Sequence, residues 1–521
     1  MPSPGKGEGG AAKLWRMGVR TLEAQPPKSV PSPAPFGGTL PPVEGGLSDQ
    51  GKGDFQMLKL FRREPGFYGR LLALALPILF QNLITNSLGL VDTFMVGTMG
   101  QGPLAGVTLA NIPVFVVQLM MFGIQSGSSV LISQYRGKGD LQSINRVMGI
   151  GMYAAGAIGL AFALVMGFLP ERFMGLFGND PAVVATAARY ARIVGWSYFF
   201  DSFVQVYIGV HRAMGDPNRG LIILGVSMAS NTFLNWVFIF GNLGAPQLAE
   251  RGAALATLLA RVLSCSIAVV WAVRDKKFKL NPALLFHPGG EMVRRFARFA
   301  TPVMCNETFW GLGTSLFPTI MGHMEGSEDI LAAYAIAGNI TNLCTVGVFA
   351  ISGTAAILIG QEIGSGRADK VYSLGALLNV LAFLFGLGAG ALFLGVLYYV
   401  VAPFLYPLFK LSAQAQEICT MMLTIMFCMM PLRSFECTNI VGVLRGGGDV
   451  RMATLIDLTP LWAVALPLAV LSGLVFQLGI LWVYLSMMSE NVVKTVLGTK
   501  RFLSGRWIND VTLSVQPEAG T

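Results

Sequence analysis

Asp92 is a carboxylate inside an otherwise apolar run. An ionisable group there costs about 2.5–3.5 kcal/mol to insert into a bilayer, so it needs a reason. Gln81, Thr85 and Asp92 are spaced by four and seven, which puts them near one face of a helix. Pro77 lies just upstream and loosens that helix by removing a backbone bond. Such a face suits reversible binding of a proton or small cation. A carboxylate simply solvated near a helix end is the plainer alternative. Asn231 and Asn235 follow at i, i+4, as do Thr257 and Arg261. Asn and Thr also serve as interhelical glue in membranes. Arg261 needs an acid or a wet cavity, with Asp92 or Asp201 as the candidate partner. Glu307 stands five residues after Pro302, and Arg433 and Glu436 form an i, i+3 pair. Binding of a cationic substrate or an ion pair with Arg433 both account for Glu307.

The elements that must carry these residues are unusually apolar. Charged residues make up 12% of the 521, and 53% are hydrophobic, against about 25% charged in soluble domains. A net charge of +9 would suit nucleic acid if it formed one patch. The Lys and Arg instead recur in short connectors, so the expected surroundings are a lipid bilayer and no nucleic acid. All six cysteines fall within apolar spans as packing residues. His211, His287 and His323 form no cluster with Cys, Asp or Glu at metal-ligand spacing, so no metal is expected.

The chain also repeats itself. Gly209-Val210-His211-Arg212-Ala213-Met214-Gly215-Asp216 returns 233 residues later as Gly442-Val443-Leu444-Arg445-Gly446-Gly447-Gly448-Asp449. Gln134, Gly137 and Gly139 return 227 residues later as Gln361, Gly364 and Gly366, and Pro77 pairs with Pro302 at an offset of 225. Drift of a few residues is what loop insertions produce. A duplicated set of spans points to a secondary transporter with its site at mid-membrane between the halves. The two Arg-x-x-Gly-Asp connectors are expected to serve as turns and gates.

About twelve spans are predicted: 70–97, 103–134, 143–168, 184–211, 220–241, 252–273, 295–322, 330–361, 371–400, 415–443, 452–475 and 478–497. The basic connectors alternate with nearly uncharged or acidic ones (97–102; Glu325, Glu328, Asp329). Both termini are therefore expected in the cytoplasm. Six spans per half make the repeat parallel. The predicted fold is an all-α integral membrane protein of two six-helix bundles: a first lobe over 57–280, a second over 281–500 and a cytoplasmic tail over 501–521. Residues 1–56, rich in Gly, Pro and Ser, are expected to be a disordered extension, or a miscalled start upstream of Met57.

Four segments resemble the MATE (multidrug and toxic compound extrusion) family. They are Leu90-Val91-Asp92-Thr93-Phe94-Met95-Val96-Gly97, the Asn231-x-x-x-Asn235-Trp236 stretch, Gly252-Ala253-Ala254-Leu255-Ala256-Thr257, and the doubled Gly-Val-x-Arg-x-x-Gly-Asp. The resemblance covers residue 66 to the end. It implies an antiporter that exports organic cations or amphiphiles in exchange for H+ or Na+. It also implies that Asp92 is the coupling acid, with Asn231, Asn235 and Thr257 as its polar partners. Asn235 stands where some members carry a second acid. Glu307 lies about one turn before the seventh-helix acid of sodium-coupled members, and Ser434 replaces their tenth-helix Asp. The coupling ion is therefore open.

The substrate-binding candidates are Gln81, Thr85, Asp201, Arg261 and Glu307. The expected partner is a small organic cation or amphiphile, with no cofactor beyond the coupling ion. A monomer in a bacterial plasma (inner) membrane is expected. A lipid-linked precursor flippase of the same superfamily is the rival, and would favour cationic grooves. An intramembrane enzyme lacks a plausible catalytic arrangement here, since neither His-Glu-x-x-His nor a Ser-His set occurs. A channel lacks a repeated filter loop.

Overall fold

In lipid a spanning segment must satisfy its own backbone N–H and C=O groups, and a run of apolar residues does so by coiling into a helix. The computed structural model describes residues 61–513 apart from 277 and 407–410. The expectations for 1–56 and for the start at Met57 lie outside the described residues. The first half runs α1 (Phe67–Gly97), α2 (Gln101–Lys138), α3 (Leu141–Phe168), α4 (Pro181–Ala213), α5 (Asn218–Phe240) and α6 (Ala249–Arg274). The second runs α7 (Gly290–Gly322), α8 (Ser327–Cys344 and Val346–Gly364, parted at Thr345), α9 (Ala368–Phe404), α10 (Ala413–Leu444), α11 (Val450–Val475) and α12 (Ile480–Leu503). These are the predicted spans, shifted by a few residues. Helix starts are set locally: Asp140 accepts from Ser143 N at 3.0 Å ahead of α3, and Asp180 caps α4 with Pro181 in first position.

Among the described residues, nine helices are long and apolar enough to cross a membrane by length and composition alone. Helices α4, α7 and α12 are not among them; they carry Asp201, Glu307, Glu490 and Lys494, whose side chains are all nearly buried.

The repeat reappears as packing. Helix α4 lies against α2, α3 and α6, and α10 lies against α8, α9 and α12. Likewise α1 pairs with α5 and α7 with α11. Across the halves, α2 packs on α7 as α8 packs on α1, and α2 also meets α8. Small residues allow these approaches: a side chain at Gly123 or Gly127 would strike the backbone of Met304 or Ala300 on α7. The connector glycines Gly215 and Gly448, separated by the repeat offset, both adopt φ +89°, a left-handed turn that favours glycine.

The halves differ in helix type. Helices α9, α10 and α11 contain π-helical stretches, including Thr438–Leu444 immediately before Arg445. The matching end of α4 is regular α-helix.

Candidate functional site

Three helices of the first bundle converge on Asp92. It lies near the end of α1, half-buried, and accepts a hydrogen bond from Asn235 Nδ2 at 2.5 Å. Asn235 also donates to Asn231 Oδ1 at 3.1 Å, one turn earlier on α5. Asn231 Nδ2 donates to Thr257 Oγ1 on α6 at 3.2 Å, and Thr257 donates to the Ala253 carbonyl at 3.0 Å. The i, i+4 spacing of the two asparagines makes this relay continuous along one face of α5. Both asparagines are fully buried. Asn235 Oδ1 is buried without a hydrogen-bond partner. A buried orphan acceptor beside a carboxylate is an arrangement that a proton or small cation would complete.

Arg261 lies one turn beyond Thr257 and pairs with Asp201 of α4 at 2.9 Å, each side chain only slightly exposed. Of the two partners the sequence offered for Arg261, the structure selects Asp201. Gln205 Nε2 also donates toward Asp201 at 3.4 Å. Tyr190 of α4, which no motif singled out, is buried in the apolar cluster beneath this end of the bundle.

Gln81 and Thr85 share the helix but not the constellation. Gln81, wholly buried, donates to the Pro217 carbonyl at 2.5 Å and accepts from Arg212 Nε at 3.1 Å. Thr85 donates back to the Gln81 carbonyl at 2.9 Å. Gln81 thus ties α1 to the α4–α5 connector. The connector's Arg212 orients against a face of α1 and is more than a turn residue.

The repeat-related place in the second bundle is ionic. Arg445 is 1% exposed and donates to Glu307 at 2.8 Å and Asp457 at 3.3 Å. Asn306, the counterpart of Gln81, donates to Asp457 at 2.8 Å. Lys494 of α12 closes the network on Asp457 at 2.9 Å and Glu490 at 3.3 Å. Arg445, rather than Arg433, is therefore the partner of Glu307. Asp457, Glu490 and Lys494 went unnoticed in the sequence, although each interrupts an apolar span and Glu490 and Lys494 sit at i, i+4. Among the described residues, no group of three or more His, Cys, Asp or Glu side chains is arranged to hold a metal ion.

Comparison with known proteins agrees with this architecture. The MatE family model matches residues 77–237 and again 302–471, once in each half. A probable multidrug resistance protein NorM of Thermotoga maritima is 24% identical over 444 residues, 85% of this chain and 94% of that protein. An uncharacterized transporter, YisQ of Bacillus subtilis, is 25% identical over 442 residues, 84% and 94% of the two chains. The solved outward-facing structure of a multidrug resistance MATE family transporter superposes with a TM-score of 0.75 at 20% identity, covering 86% of this chain and 98% of its own. Two matches of one family model, each on a half built around the same helix order, show that this chain is a membrane transporter belonging to the MatE family.

Proposed function

We propose that this transporter is an antiporter that exports a small organic cation or amphiphile in exchange for H+ or Na+, and that Asp92 carries the exchange. One observation supports this most directly: Asp92 is held by the neutral amide of Asn235, while the nearby Arg261 is already paired with Asp201. Its charge is thus free to be cancelled by a proton, by Na+ or by a cationic cargo. Two ligands competing for one charge exclude each other, which is the differential binding that exchange requires. Asn231 and Thr257 orient the amide, and the orphan Asn235 Oδ1 supplies a second oxygen for a bound ion.

The same reading divides the chain into lobes at 57–280 and 281–500, puts the Arg-rich connectors in the cytoplasm of a bacterial cell, and has the chain act as a monomer. It takes Arg261 and Asp201 as a polar wall of the cargo path. Against a flippase for lipid-linked anions, three nearly buried cations of the spans, Arg261, Arg445 and Lys494, each face a carboxylate. The deciding experiment is efflux of an organic cation from proteoliposomes with H+ and Na+ gradients imposed separately. Efflux driven by neither gradient would sink the reading.

A further inference from the structure

We infer that residues 504–513 form a strap across the seam between the two bundles, and that opening on the Arg-rich side requires Gln134 to release it. This deepens the antiport reading above, with exchange working by alternating access, and rests on it.

The segment leaves α12 and turns back rather than departing. Trp507 is wholly buried, stacks on Phe502 with ring centroids 5.5 Å apart, and donates to the Phe502 carbonyl at 3.0 Å. Asn509 N donates to the Gly447 carbonyl at 2.7 Å, and Ile508 bridges to Gly448. These contacts anchor the strap to the second bundle.

It then crosses to the first. Gln134, at the end of α2 and 0% exposed, accepts from Val511 N at 2.8 Å and donates to the Asn509 carbonyl at 3.0 Å. Val511 is buried with Ile132 and Tyr135 of α2 in one apolar cluster. Arg295 of α7 donates to the Thr512 carbonyl at 2.9 Å and to the Tyr135 hydroxyl at 2.8 Å, stitching strap, α2 and α7 together. Buried backbone groups do not stay unpaired, so the bundles cannot part here while the strap keeps these bonds.

The repeat shows that the strap is an addition. Gln134 also reaches the Gly446 carbonyl at 3.5 Å, and its mate Gln361 reaches the Ala213 carbonyl at 3.3 Å. Ala213 and Gly446 are themselves repeat mates, so each bundle's glutamine meets the other's Arg-bearing connector. Among the described residues, only the Gln134 side gains the strap bonds. A symmetric latch has thereby become a weighted one, with Gln134 as its positioning residue.

Hydrogen exchange read by mass spectrometry on the full chain in nanodiscs, without cargo or ion gradient, tests this. Gln134→Met, and separately a chain ending after Ile508, should speed amide exchange in 130–139 and 361–366 by about tenfold or more. Exchange in 413–437 should stay as in the intact protein, and Gln361→Met should act more weakly than Gln134→Met. Unchanged exchange at the seam in Gln134→Met overturns the inference. So does faster exchange throughout the chain, which would make the segment a fold anchor rather than a strap. Because no transport is measured, failed efflux by the intact protein would count against the antiport reading alone.

Discussion

Asn235 Nδ2 lies 2.5 Å from Asp92 Oδ1, so the acid of α1 is tied to an amide and not to a guanidinium, although Arg261 stands close by on α6. A guanidinium would hold the carboxylate permanently ionised. An amide leaves it able to take up a proton or an ion. Asp92→Asn keeps the shape and removes that choice. Gradient-driven efflux from proteoliposomes should vanish while expression and melting temperature stay near those of the unmodified protein. Full transport by the variant would remove Asp92 from the coupling step.

Asn235 tests whether the relay orients the acid or only joins helices. Asn235→Ala deletes the bond to Asp92 and leaves Asn231 bonded to Thr257 alone. The pH or Na+ concentration giving half-maximal efflux should then move. A lower melting temperature with an unmoved coupling profile would assign the residue to packing.

That Asn231, Asn235 and Thr257 gather on Asp92 came from the resemblance to the MATE family, but each was legible as a polar residue inside an apolar run, where sequence separation maps onto faces. The spans and the repeat were legible for the same reason. Gln81 and Thr85 show the limit: spacing put them on the Asp92 face, but Gln81 is spent on Arg212 and Pro217, two connector groups that no helical period foretells. The second-bundle network was hidden differently. Arg445 belongs to a motif that reads as a turn, and the π-helical stretch before it breaks the phase by which an α-helical reading would have aimed it. Asp457 and Lys494 belong to no motif, yet the cost of a charge in an apolar span would have marked both.

Arg261 and Asp201 form a nearly dry pair at 2.9 Å. Removing one charge of such a pair strands the other, at about 3–5 kcal/mol. Asp201→Asn should therefore lower the melting temperature in detergent sharply, and the double change Asp201→Leu with Arg261→Leu should recover much of the loss. A single variant as stable as the unmodified protein would mean that water screens the pair.

Glu307 separates binding from architecture in the second bundle. In Glu307→Gln, Arg445 keeps Asp457 at 3.3 Å, so the stability loss should be modest, about 1–3 kcal/mol. Asp457→Asn should cost more, because that carboxylate serves Arg445, Lys494 and Asn306 together. Cation affinity and melting temperature measured side by side decide the role. Lost affinity at unchanged stability in Glu307→Gln would make it a binding acid, and the reverse would leave it a structural one.

The seam itself is set by two glycines related by the repeat. A Cβ at Gly364 would strike the Gln134 carbonyl, and a Cβ at Gly137 would strike the Gln361 carbonyl. Neither neighbour can yield, since both are helix backbone, so one added methyl must push α2 and α8 apart. Gly364→Ala and Gly137→Ala should each cost about 1–3 kcal/mol by overpacking and speed amide exchange at the seam. Gly338→Ala on the same helix α8 is the control, because nothing lies within 4 Å of a Cβ there. It should be neutral, or stabilising by up to about 1 kcal/mol through helix propensity. The two seam variants should resemble each other and differ from the control. If Gly364→Ala behaves like Gly338→Ala in both melting and exchange, the close crossing of α2 and α8 is not what holds this side shut.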